Sequence, residues 1–224
     1  MGTWFRAEGA PPSDPDGDWE VKARDITYYC DIAEAEKFGE LVWATGFHRE
    51  PLRAKELVFL GDGAEWIWNL VTEHYPDAVQ IVDWYHAAEH LGEVARAVFE
   101  KKEEGTAWLR RTKAWLWEGQ VDAVIAACEG LGDRKGGDEA TKAGSYVRRH
   151  QKRMAYGELR RKGYQIGSGT VESGCKQLGI QRMKVSGATW SLEGARRTAK
   201  ARGAWLSEQW DEVAARREHL RKAA

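Results

Sequence analysis

A chain of 224 residues with 42% hydrophobic and 31% charged residues can bury one substantial core, or one core plus an appendage, and its mixed composition excludes a fibrous or disordered protein. The net charge of −1 conceals an imbalance, because residues 141–224 hold 19 Lys and Arg against 7 Asp and Glu while residues 1–140 hold 15 against 28. Cys30, Cys128 and Cys175 are too few and too scattered for a disulfide framework or a thiolate zinc site, and no leader or run of about 18 apolar residues is seen, so a soluble cytoplasmic protein with no membrane span is expected.

Residues 10–18 (APPSDPDGD) read as a turn or loop, and the segment from Trp19 to Asp31, rich in β-branched and aromatic residues, as one or two strands. Residues 34–46 have a helical pattern. The apolar run Leu57–Leu60 stops at Gly61-Asp62-Gly63, as a buried strand ending in a turn would. Ala64 to Tyr75 places Trp66, Ile67, Leu70 and Val71 at helical spacing, Pro76 closes it, and Ala78–Val82 is a second short apolar run. A strand, a helix and a strand in that order normally form a right-handed crossover between parallel strands, which would leave Asp62 and Asp83 on one edge of the sheet. From Trp84 to about His150 the pattern is helical, with breaks expected at Gly105, Gly119 and Gly130–Gly137. Gly163–Gly169 (GYQIGSG) is a glycine-rich loop, a helix carrying Glu172 begins near Val171, and residues 188–223 form one long basic helical stretch.

Twelve Trp residues are well above ordinary usage; most should be core plugs, and the surplus could serve as platforms for bases. The basic half beside an acidic half suits a polyanion-binding surface next to a carboxylate cluster, although a solvated helix face has the same composition. Phosphodiester chemistry with two metal ions needs about three carboxylates, and Asp62, Asp83 and Glu172 sit where strands or a tight loop end. Oxygen donors of this kind favour hard cations such as magnesium. The plainer alternatives are a turn or helix-cap aspartate at Asp62 and a helix-start charge at Glu172. A rival motif is His86–His90 (HAAEH), which has the spacing of a zinc peptidase helix, with Glu89 as general base and Glu172 as a third ligand; the two histidines could equally cap or pack.

The segments LGDGAEWIW (60–68), YPDAVQIVDWYHAAEHL (75–91) and RKGYQIGSGTVESGCKQLGIQRMKVSGATW (161–190) together resemble insertion-sequence transposases of the ISKra type, within the Mutator-like group of DDE transposases. The likeness spans most of residues 19–213. It implies an α/β fold with an RNase H-like mixed sheet (1–83 and 165–186), a large all-helical insertion (84–164) and a basic C-terminal helical region (187–224). It further implies metal-dependent cleavage and strand transfer of DNA for insertion-sequence mobility, with two Mg2+ or Mn2+ ions. Asp62 matches the second catalytic aspartate and Glu172 the catalytic glutamate, both metal ligands. Asp83 and His86 match a D-x-x-H element near the site. Lys176, Arg182 and Lys184 would touch phosphates, which positions DNA without reading its sequence. The partners implied are the element ends and target DNA, and further copies of the intact enzyme.

In such transposases the first catalytic aspartate ends the first strand in an Asp-Gly turn, and Met1 stands at that position before Gly2. Asp14, Asp16 and Asp18 lie in the following loop and are poor substitutes. The expectation is therefore a C-terminal portion with a truncated first strand and little activity alone. The alternative is a catalytically dead DNA-binding remnant or transposition inhibitor.

Overall fold

The computed structural model describes residues 1–10, 12, 19–47, 49, 54–180, 183–184 and 186–223. It is a mixed α/β protein in which helices predominate and the described strands form two separate two-stranded sheets. The chain divides into two compact units. One comprises Met1–Glu8, Lys22–Lys55 and Gly169–Ala224, and the other Gly9–Val21 and Glu56–Ser168. These limits cut the chain elsewhere than the expected segments do: the strand-helix-strand segment groups with the helices that follow it, and residues 169–186 with the C-terminal helices.

The strands β1 (Gly2–Ala10) and β2 (Glu20–Tyr29) pair with each other. In β2, half-buried Val21 and Ala23 alternate with exposed Glu20, Lys22 and Arg24, the period of two that a strand with one covered face requires. Strand β1 runs for nine residues, and in it Trp4 buries its ring and donates from Nε1 to Thr45 Oγ1 of helix α1 (Ala35–Phe47) at 3.1 Å. Where a single mixed sheet was expected, β1 and β2 thus form a sheet apart from the next strands.

In the same unit, helix α9 (Leu192–Leu206) packs Gly203 against the Tyr28 carbonyl, where a Cβ would come to 3.3 Å. A small core of Cys30, Leu178 and Ala199 forms there, with Met1, Tyr28, Met183 and Leu206 against it. Residues 188–223, expected as one stretch, are two helices, α9 and α10 (Trp210–Ala223). The helix ends at Ser207, whose hydroxyl donates to the Gly203 carbonyl at 2.6 Å and accepts the Tyr28 amide at 2.8 Å, and Glu208 then takes a left-handed φ of 57°. The side chain of Asp31, only 8% exposed, receives Lys200 Nζ at 2.8 Å and both Arg196 Nε and Nη2, the latter at 3.1 Å.

In the other unit, β3 (Val58–Gly61) and β4 (Val79–Val82) are parallel and joined through helix α2 (Glu65–His74), with Leu60 opposite Ile81 and Gly61 opposite Val82. Helices α3 (Trp84–Val98), α4 (Lys102–Trp117), α5 (Val121–Glu129), α6 (Gly137–His150) and the short α7 (Tyr156–Arg161) follow. Their core is continuous with the strands: Ile81, Val82, Leu91, Val94, Leu116, Val124, Val147 and Tyr156 are fully buried. At about 2 kcal/mol for each large apolar side chain, this is the larger share of hydrophobic stabilisation. Gly105, expected to break the helical pattern, lies inside α4: its missing Cβ would stand 3.0 Å from the Ala95 carbonyl, so it lets α3 and α4 approach. The break falls instead at Phe99–Lys101, before α4. Gly119 does follow the end of α4, with φ 75°, and within the Gly130–Gly137 stretch Gly130 caps the end of α5 while Gly136, with φ 79°, precedes the start of α6. Among the described residues no helix is long and apolar enough to cross a membrane.

The Asp31 cluster gives the first unit a source of acid sensitivity. Its hydrogen bonds to Arg196, opposed by burial and reinforced by Lys200, hold the Asp31 carboxyl well below the usual range. A carboxylate depressed in this way contributes stability above its unfolded pKa of about 4, and loses it as pH falls through the folded value. Asp31→Ala should cost about 2 kcal/mol at neutral pH, less than the loss typical for a fully buried pair because both cations reach water. Urea unfolding at pH 7 and pH 3 should show the gap between the two proteins narrowing only in part at the lower pH, because Asp31 stays ionised in the folded chain there and gives up its full contribution only below its folded value.

Candidate functional site

Asp62 and Asp83 follow directly on β3 and β4, and the register Gly61↔Val82 sets them side by side at the C-terminal edge of the parallel pair, with the Asp83 amide donating to the Gly61 carbonyl at 2.7 Å. Their environments then diverge. Asp83 is 2% exposed and caps α3: one oxygen accepts the His86 amide at 2.8 Å and the other accepts the Ser168 amide. Both oxygens are thus engaged by backbone N–H groups, which fits a fastening residue and not a metal ligand. The neighbouring Trp84 amide donates to the Ile166 carbonyl at 2.9 Å, and Gly167 is so close to Tyr85 that a Cβ there would fall 2.7 Å from the ring. The D-W-Y-H segment and the glycine-rich loop, which are far apart in sequence, are therefore clamped together.

Asp62 is exposed. One of its oxygens accepts the Ala64 amide at 2.9 Å, closing the turn into α2. Its backbone carbonyl accepts the Tyr146 hydroxyl of α6 at 2.7 Å. The same tyrosine explains the glycine after it: Gly63 has φ 95°, and a Cβ there would meet the Tyr146 oxygen at 2.4 Å. Burial, with Asp62 and Asp83 adding to it, pushes the Tyr146 hydroxyl far above its ordinary pKa, so it stays a donor. The Tyr146 ring also meets His90 at 4.4 Å, His150 at 4.8 Å and His86 at 6.2 Å between centroids. Sequence reasoning missed Tyr146 because its partner is 84 positions away.

Among the described residues no group of three or more His, Cys, Asp or Glu gathers around the His86–His90 pair of the rival zinc motif. His86 and His90 stack edge to face at 4.9 Å, with His86 Nδ1 3.8 Å from Glu89 and His90 Nδ1 3.4 Å from Glu93. Glu172 belongs to the other unit, as an exposed residue in the first turn of α8 (Gly169–Cys175). Lys176 is exposed in the π-helical turn Lys176–Ile180 that follows, and Lys184 is exposed in the next turn, while Arg182 lies outside the described residues, as do Asp14, Asp16 and Asp18. At the position assigned to the first acid, Met1 packs its methyl group towards Gly174 of α8. A two-ion site needs about three carboxylates. Asp62 and Glu172 are oxygen donors of the right kind for a hard cation, but among the described residues no group of three or more His, Cys, Asp or Glu gathers that could hold a metal ion. The described residues do not, by themselves, fit a two-ion centre.

No protein-family model, curated protein or solved structure matches the chain.

The clamp at Asp83 can be broken separately from Asp62. Asp83→Ala removes a helix cap and strands the Ser168 amide, and should cost about 2–3 kcal/mol in urea unfolding. Hydrogen exchange at the His86 and Ser168 amides should rise with it, whereas Asp62→Ala, at an exposed turn, should cost under about 1 kcal/mol.

Proposed function

We propose that this chain is a portion of a DDE transposase of the insertion-sequence type, a DNA-binding protein with an RNase H-like core in which Asp62 and Glu172 are two of the acids that serve phosphodiester cleavage and strand transfer. The observation that carries the reading is the parallel β3–β4 pair with Asp62 exposed and Asp83 buried at adjacent strand ends. It agrees with the division of roles that the sequence resemblance implies: one acid available for ions, the other a framework residue in the D-x-x-H element. The fastening of that element to the glycine-rich loop leading into α8 is a second point of agreement, because the loop immediately precedes Glu172 in the chain. The excess of Lys and Arg over Asp and Glu in residues 141–224 supports a polyanionic partner.

Three carboxylates are not gathered among the described residues, and magnesium or manganese would be the cation that Asp62 and Glu172 help to hold. The chain should bind duplex DNA with an affinity that falls steeply as salt rises. Supercoiled plasmid incubated with the chain and Mn2+ should show little or no nicking by this chain alone, and any nicking seen should fall by at least about 10-fold in Asp62→Asn or Glu172→Gln, the order expected for loss of an ion-binding group. Binding without any nicking would leave a DNA-binding protein that acts without catalysis. Absence of salt-dependent DNA binding would remove the transposase reading altogether.

A further inference from the structure

Helix α6 has a largely exposed face, on which only Tyr146 is half-buried by its packing within the unit. Thr141, Lys142, Ser145, Tyr146 and Arg149, spaced by three and four residues, line an open hollow of about 300 Å³. Most cations near it are already matched: Arg148 is paired with Glu129, and Lys142 reaches Glu139 at 2.6 Å. Arg149 makes no ion pair among the described residues and is exposed. The Lys142 pair is solvent-exposed, so it contributes little and yields readily to a stronger anion. Tyr146 connects this face to the acid edge, since the residue that lines the hollow is the one that donates to the Asp62 carbonyl. Two long cationic side chains about two turns, or roughly 10 Å, apart along the axis of α6, with the Ser145 hydroxyl between them, suit the charge and donor chemistry of a phosphodiester backbone.

We propose that the hollow on α6 is a phosphate-binding site for a DNA strand, which lays the strand's backbone beside the turn that carries Asp62. Arg149 is its principal cation, and Lys142 joins it by exchanging Glu139 for phosphate. The contacts position the strand and read no bases. This assignment rests on the DNA-binding reading above, and deepens it by placing a contact surface on the helical segment in addition to the contacts expected of Lys176 and Lys184.

The test is a titration of the full chain with a fluorescein-labelled 20-base-pair duplex, followed by anisotropy between about 50 and 300 mM NaCl, a range in which phosphate contacts are resolved by the salt slope. Arg149→Ala should lower the slope of log affinity against log salt by about 1 and weaken binding several-fold, and the Lys142→Ala, Arg149→Ala double variant by about 2, equally for unrelated DNA sequences. Arg110→Ala, which removes an exposed cation from α4 of the same unit, should leave the slope unchanged. Circular dichroism melting confirms that the variants fold. Wild-type slopes in both α6 variants, with steep binding by the parent chain, would overturn the α6 site and leave the transposase reading standing. A parent chain that does not bind DNA would overturn both.

Discussion

The arrangement of the second unit rests on the parallel register of β3 and β4, which makes Asp62 and Asp83 the first residues beyond two neighbouring strands. Two carboxylates so placed would repel each other if both were exposed to the same surroundings. They are not: Asp83 is withdrawn from water and its charge is shared between two backbone amides, while Asp62 stays exposed with a single amide on one oxygen. Backbone N–H groups stabilise a buried carboxylate without bringing a counter-charge into the core. The helical segment then leaves from the capped end at Trp84, and its own helix α6 returns Tyr146 to support the Asp62 turn.

What could be seen in the sequence was what local pattern encodes. The runs Leu57–Leu60 and Ala78–Val82, each stopped by an aspartate or a Gly-Asp-Gly turn, announced the strand-helix-strand unit and the edge its acids share. Helices α1, α2 and α3 followed from apolar spacing. The misplaced break at Gly105 has a simple origin: a glycine that permits close helix packing and a glycine that ends a helix look alike in one dimension, and only the Ala95 carbonyl distinguishes them. The interruption between α9 and α10 was missed for a related reason, since Ser207 becomes a helix end through the distant Tyr28 amide.

The candidate site was half legible. Asp62 could be singled out by its turn, but nothing in sequence told whether Asp83 bound ions or backbone; that depended on Ser168, 85 positions later, and on the depth of burial. Tyr146 gave no signal at all, because an aromatic residue on an amphipathic helix is the ordinary core filler. Of the tryptophans, Trp4, Trp68 and Trp108 are buried as plugs while Trp43, Trp66, Trp205 and Trp210 stay exposed, a division that composition alone does not make.

The bond from Asp83 to the Ser168 amide also closes a very long excursion of the chain, which departs at α3 and comes back to its starting point after five helices. The entropic cost of bringing two such distant points together grows only with the logarithm of the intervening length, so each doubling adds about 0.6 kcal/mol. Helices could therefore be added to or trimmed from the excursion at small thermodynamic expense, provided that its two ends kept their grip. The clamp acts as a socket: it fixes where the helical segment is plugged in and leaves the size of that segment free to drift.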